Sequence, residues 1–229
     1  RAAAGAGVPF GLAEDFGRAA IWIAGSGLDP SGITANALHE LECGHSCLKA
    51  SLTEVNKEIL LTAEGGKQLS AIQAGAALCD LISAQPENPK NMQSIVAENV
   101  DCPLLVCAAI GSANYDGWEI SWPASEEIPC SVLICEDGSW KSSWNGREIP
   151  EQVAAADVKI LTVNNREEYY DKWDGKTVYS GNNKKQLLET GVPLYESWSV
   201  IYSYFTRCLV PSTEESRKTG AGAGLVDTD

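Results

Sequence analysis

Apolar residues change their spacing twice along this chain. In "GLAEDFGRAAIWIAGSG", Leu12, Phe16, Ala19, Ala20 and Ile23 recur every three or four positions. That spacing predicts one face of a helix, closed by Gly25 and Gly27. "LDPSG" reads as a turn. In "ITANALHELECGHSCL", Ile33, Ala37, Leu38 and Leu41 fall on one side of a second helix, with Gly44 as its stop. "EGGKQLSAIQAGAALCDLISA" carries the clearest helical period, through Leu69, Ile72, Ala76, Cys79 and the Leu81–Ile82 pair. Its small-residue face allows a neighbour to pack closely. "QPENPKN" follows as a loop.

Near residue 100 the period changes. "CPLLVCAAI" is a short continuous apolar run between Pro103 and Gly111, and it predicts a buried strand. "GWEISW" alternates, with Trp118, Ile120 and Trp122 on one face. "CSVLICEDGSWKSSWNG" predicts two strands joined at Asp137–Gly138, and "DVKILTV" predicts another. Short links favour antiparallel pairing. Helical spacing returns in "PLYESWSVIYSYFTRCLVP", where Leu194, Trp198, Ile201, Phe205 and Leu209 form a stripe that Pro211 ends. Ser212 and Glu215 then offer a capping box for a short last helix, stopped by Gly220.

The expected architecture is α+β, in one domain spanning 1–229. Its parts are a helical portion over 1–98, a mainly antiparallel sheet over 100–180, and a C-terminal helix with a docked Gly-rich arm over 190–229.

Composition narrows the function classes. Of the residues, 44% are hydrophobic, so a core is expected and disorder is not. The net charge of -14 repels phosphate backbones and anionic lipid, which argues against a nucleic-acid or membrane-surface role. No apolar run approaches the roughly 20 residues that span a bilayer. The opening "RAAAGAGVPFG" has no apolar signal core. It also has no initiator Met, which predicts a short leader or disordered segment ahead of it. The eight cysteines lie mostly in apolar runs, so they read as reduced core thiols of a cytoplasmic protein.

One cluster has ligand chemistry. "HELECGHSC" gathers His39, Cys43, His45 and Cys47, and includes both histidines of the chain. Imidazole and thiolate are zinc ligands, and His39, Cys43 and Cys47 are four apart. The spacing departs from the common paired knuckles, and Gly44 interrupts a helix there. A Cys–His nucleophilic pair from these residues is a further reading. The bland alternative is a helix C-terminus with two partly buried thiols. Cys102/Cys107 and Cys130/Cys135 read as core, and Glu126/Glu127, Glu167/Glu168 and Glu214/Glu215 as solvated faces.

The tail "SRKTGAGAGLVDTD" is the other unusual stretch. It has neither a preceding strand nor the order of a Walker loop. Alternating glycines permit positive φ and close backbone approach. Successive amides can then cup an anion, with Arg217 and Lys218 supplying charge. The ligand-binding set on this reading is Arg217, Lys218, Gly220, Gly222 and Gly224. The bland reading is an arm docked in a tight groove. "RAAAGAG" at the front has a similar composition, so the two ends could meet.

These two ends are similar to those of the bacterial domain-of-unknown-function family 3726. Its start resembles K-A-A-R-G-A-G-x-x-W-G-x-A-E-E-A-G-x-A, and its end V-P-A-S-E-x-S-R-x-x-G-A-G-A-G-x-x-D-N-D. Matching positions at the front are Gly5, Gly7, Gly11, Ala13, Glu14, Gly17 and Arg18. At the back they are Val210, Pro211, Glu214, Ser216, Arg217, Gly220, Gly222, Gly224, Asp227 and Asp229. Ala4, Phe10 and Thr228 depart from the pattern, and the first departure removes an Arg beside the front glycines. The resemblance implies a bacterial cytoplasmic protein of about this size. It brings no activity, cofactor or catalytic residue.

Three functions are therefore carried forward. The first is binding of a small anionic ligand or partner group near the Gly-rich arm. The second is an enzyme using the His39–Cys47 cluster, with or without zinc. The third is a structural or interaction protein, including a homo-oligomer.

Overall fold

A computed structural model describes residues 1–56, 58–85, 94–123, 129–135, 137–144, 155–162, 173, 176–179, 189–191 and 196–209. Six helices lie among them: α1 (Ala2–Gly5), α2 (Phe10–Gly25), α3 (Ser31–Glu42), α4 (Ala71–Ser83), α5 (Pro103–Ser112) and α6 (Trp198–Thr206). The strands are β1 (Ser46–Cys47), β2 (Ala50–Val55), β3 (Glu58–Ala63), β4 (Gln68–Leu69), β5 (Ser94–Val100), β6 (Trp118–Pro123), β7 (Pro129–Ile134), β8 (Trp140–Ser142), β9 (Ala156–Thr162) and β10 (Thr177–Tyr179). The fold is α+β, around one mixed ten-stranded sheet.

The sheet runs β1-β4-β5-β9-β6-β7-β8-β10, with the β2–β3 hairpin joined through β3 to β5. From β5 to β10 every pairing is antiparallel, as the short links predict. β1–β4, β3–β5 and β4–β5 are parallel. These strands correct the expectation of a helical portion over 1–98. Strong strand formers at 58–62 were hidden because the β2–β3 hairpin is too short to show a long alternation. The β7–β8 hairpin forms as expected, with Gly138 at φ 76 and the Ser139 amide donating to Asp137.

"CPLLVCAAI" is the second correction. It forms α5, opened by Pro103 at its first turn. Leu104, Leu105, Val106, Cys107, Ala108 and Ile110 are all buried, so the helix is apolar on every side. A helix enclosed by protein loses its period, and periodicity cannot separate it from a buried strand. Here α5 is enclosed by α4 and α2. Gly75 of α4 admits the Ala109 methyl group, and Gly111 admits the Trp22 ring of α2. Trp22 stacks on Trp140 (centroids 4.9 Å apart), and Trp140 on Tyr179 (4.0 Å), so one aromatic column ties α2 to the far strands.

The third correction concerns α6. Its buried residue is Tyr204, while Trp198 and Leu209 of the expected stripe are exposed. Contact with α1 and α3 sets this rotation. Pro211, Ser212, Glu215, Gly220 and the whole Gly-rich arm lie outside the described residues, as do the three paired carboxylates.

Candidate functional site

The two ends of the described chain meet. α1 packs on α6, and Gly5 lies so close to it that an added Cβ would sit against the Tyr204 carbonyl. Only glycine permits that approach. The Cys208 thiol donates to the Arg1 carbonyl at 3.3 Å. The last turn of α3 fastens the same corner. Glu42 accepts from the Tyr204 hydroxyl at 2.9 Å and pairs with Arg207. Arg207, then Tyr204, holds the Glu42 carboxyl below its ordinary range. Burial, then Glu42, pushes the Tyr204 phenol up to about 12. The Arg207 guanidinium also covers the Tyr204 ring, 4.5 Å from its centroid.

Behind this corner lies a cavity of ≈ 250 Å³ between α1, α2, α3 and α6. Its walls are Ala13, Phe16, Gly17, Ala20 and Ile21 on one side and Trp198 and Ile201 on the other. The lining hydroxyls are already committed. Thr34 donates to the Pro30 carbonyl, and Ser31 accepts from the Ser197 amide. Arg1 also borders the cavity, and among the described residues its guanidinium has no partner. The lining is thus apolar, with Arg1 the one charged residue among those that border it.

The His/Cys cluster divides. His39 and Cys43 stay together, with Nε2 3.6 Å from Sγ. His45 turns to Glu40 (3.1 Å), and the Cys47 thiol donates to the Lys49 carbonyl at 3.4 Å. Gly44, at φ 72, separates the two pairs by ending α3 in the left-handed conformation. Among the described residues no three His, Cys, Asp or Glu side chains converge as a metal requires. All eight cysteines are free thiols.

A buried polar cluster at the carboxyl ends of β4 and β5 was not found from sequence. Asp101, 4% exposed, receives the Ala71 amide at 2.8 Å and so caps α4 from another strand. Among the described residues, its second oxygen and the hydroxyls of Ser46 and Ser70 are buried without hydrogen-bond partners. Burial pushes the Asp101 carboxyl up to about 6, against the Ala71 amide, the nearby Ser46 hydroxyl and the Cys102 amide. Glu40 adds to the rise. The only sequence signal was the polar pair "DC" ahead of a helix that had been read as a strand.

A second cleft, between α2, α4 and the end of α5, is bordered by Asp15, Arg18, Asp80 and Ser112. It holds a neutral thiol, since burial, then Asp15 and Asp80, pushes Cys79 up to about 12.

No family model, curated protein or solved structure matches this chain. No helix among the described residues is long and apolar enough to cross a membrane.

Proposed function

We propose that this chain is a small-molecule binding protein. Its site is the cavity that α6 closes against α1, α2 and α3, and its ligand has an apolar body and one anionic end. The carrying observation is the lining: committed hydroxyls, apolar walls, and Arg1 at the border with no partner for its guanidinium among the described residues. The volume is just below the roughly 300 Å³ at which drug-sized pockets begin, which suits a medium-chain or aromatic carboxylate. The arm carrying Arg217, Lys218, Gly220, Gly222 and Gly224 lies outside the described residues, so the reading rests on the cavity alone. The eight free thiols favour a reducing, cytoplasmic setting.

The enzyme reading has less behind it. His39 and Cys43 touch, but His45 and Cys47 have other partners.

Gly17 offers the test, because a Cβ there meets nothing within 4 Å. Gly17→Leu is expected to fill the cavity without strain and to leave the fold intact. Wild type should bind a fluorescent apolar sulfonate that octanoate displaces, and Gly17→Leu should bind at least about tenfold more weakly, the loss of about 1.4 kcal/mol. Equal binding by both proteins contradicts the proposed site.

A further inference from the structure

Three polar side chains are sealed in where β4 and β5 end, beside β1. Ser46, Ser70 and Asp101 are 2%, 0% and 4% exposed. Their chain neighbours Leu69, Ala71, Val100 and Cys102 are buried too, so bulk solvent does not reach the group. Asp101 Oδ1 accepts from the Ala71 amide, but among the described residues Oδ2 and both hydroxyls have no partner. Buried polar groups in native proteins are almost always hydrogen-bonded, to protein or to ordered water.

Strand register places the three together. Ser46 lies opposite Gln68, and Leu69 opposite Val100. The ladder runs on past the strand ends, with the Ser70 amide donating to the Cys47 carbonyl and the Asp101 amide to that of Leu69. Ser70 is extended, at φ -63 and ψ 129, so alternation puts it on the face of Gln68 and therefore of Ser46. Asp101 follows Val100 and falls on that face as well. Adjacent strands lie about 4.8 Å apart, which brings Ser70 beside Asp101. Ser46 is close enough to draw the Asp101 carboxyl down against the effect of burial. A serine hydroxyl turns freely about its C–O bond, yet neither of these donates to Oδ2. Polar groups that are near but unbonded are the setting for a bridging molecule.

We propose that one internal water molecule is bound at this point, hydrogen-bonded to Asp101 Oδ2, Ser46 Oγ and Ser70 Oγ. It donates to the carboxylate and to one hydroxyl and accepts from the other, which makes about the three bonds typical of a buried water. It satisfies all three side chains at once, and it ties β1 and the ends of β4 and β5 to the start of α4.

The electrostatics select a neutral occupant. The N-terminus of α4 points at the site, since the Ala71 amide meets the same carboxyl, and its positive end opposes a cation. The Asp101 carboxylate opposes an anion. A molecule that both donates and accepts suits one carboxylate and two hydroxyls. A single water does not replace bulk solvent, so burial still holds the carboxyl up. In Asp101→Asn the new NH₂ donates to the same water, which passes the bond on to Ser46.

A high-resolution crystal structure of the full chain tests this. The expected result is a density peak about 2.6–3.2 Å from Asp101 Oδ2 and from both hydroxyls. No peak there, or a Ser46 or Ser70 hydroxyl bonded directly to Oδ2, overturns the proposal. So does a peak about 2.3–2.6 Å from about six oxygens, which marks a metal cation. Oxygen-17 relaxation dispersion, which counts waters held inside a protein, gives the test in solution. Ser46→Ala combined with Ser70→Ala removes two of the three partners. With its circular dichroism unchanged, that variant should hold one long-lived water fewer than wild type, whereas Asp101→Asn should keep the wild-type count. A folded double variant that holds as many long-lived waters as wild type also overturns the proposal.

Discussion

Gly111→Ala is expected to destabilise the protein by about 3 kcal/mol, although alanine is the better helix former by about 1 kcal/mol. A Cβ at Gly111 would lie 2.5–2.7 Å from three atoms of the Trp22 indole. That ring is held in place, because it stacks on Trp140, which stacks in turn on Tyr179. The Trp140 indole is itself fixed by donating to the Ser26 hydroxyl at 2.7 Å. The strain must therefore move α2 off α5 or separate the aromatic column. Gly17→Ala is the control, since its Cβ meets open space, and it should stabilise by about 0.5–1 kcal/mol. Denaturant midpoints shifting in opposite directions for the two substitutions confirm the packing. A shift of the same sign and size for both would mean that α2 does not press on α5.

Asp101 carries the second large effect, and its sign changes with pH. Its folded-state value of about 6 lies above the ordinary 3.8, so the folded chain holds that proton more tightly than the unfolded one. The stability this contributes is complete below about pH 4 and is lost as pH rises to about 6. Above that, the buried carboxylate costs up to about 3 kcal/mol. Asp101→Asn keeps an oxygen for the Ala71 amide and gives the Ser46 hydroxyl an NH₂ donor. It should match wild type near pH 4 and be about 1–3 kcal/mol more stable at pH 8. Asp101→Ala leaves the Ala71 amide buried and unpaired, so it should be about 1–3 kcal/mol less stable than the Asn variant at every pH. Urea unfolding of the three proteins at several pH values checks the pattern. Asp101→Asn less stable than wild type at pH 8 would contradict the assignment of Asp101 as a buried charge whose hydrogen bonds do not offset its burial.

How far the sequence could be read depended on what each element touches. α2, α3 and α4 keep one solvent side, so their apolar stripes survive as periods. β6 alternates because its core-facing Trp118, Ile120 and Trp122 are interleaved with residues of the opposite face. α5 was unreadable for the reason that makes it central: enclosed by α2 and α4, it has no polar side to mark a turn. β1 and β4 are two residues each and lie below any period. The suggested meeting of the front glycines with the Gly-rich tail lies outside the described residues; Gly5 instead admits the backbone of α6 at Tyr204. The cavity was not legible, because its walls come from four separate helices. Nor was Asp101, whose capping partner lies thirty positions away in the chain.

Methyl-resolved NMR during titration with octanoate addresses the ligand site most directly. Ile21 and Ile201 line the cavity from opposite walls, while Ile95 and Ile120 lie in the sheet away from it. Saturable shifts of the first pair, with the second pair still, are the predicted result. No shifts at the highest concentration, or shifts at the sheet isoleucines alone, would contradict a binding site where α1 and α6 close together.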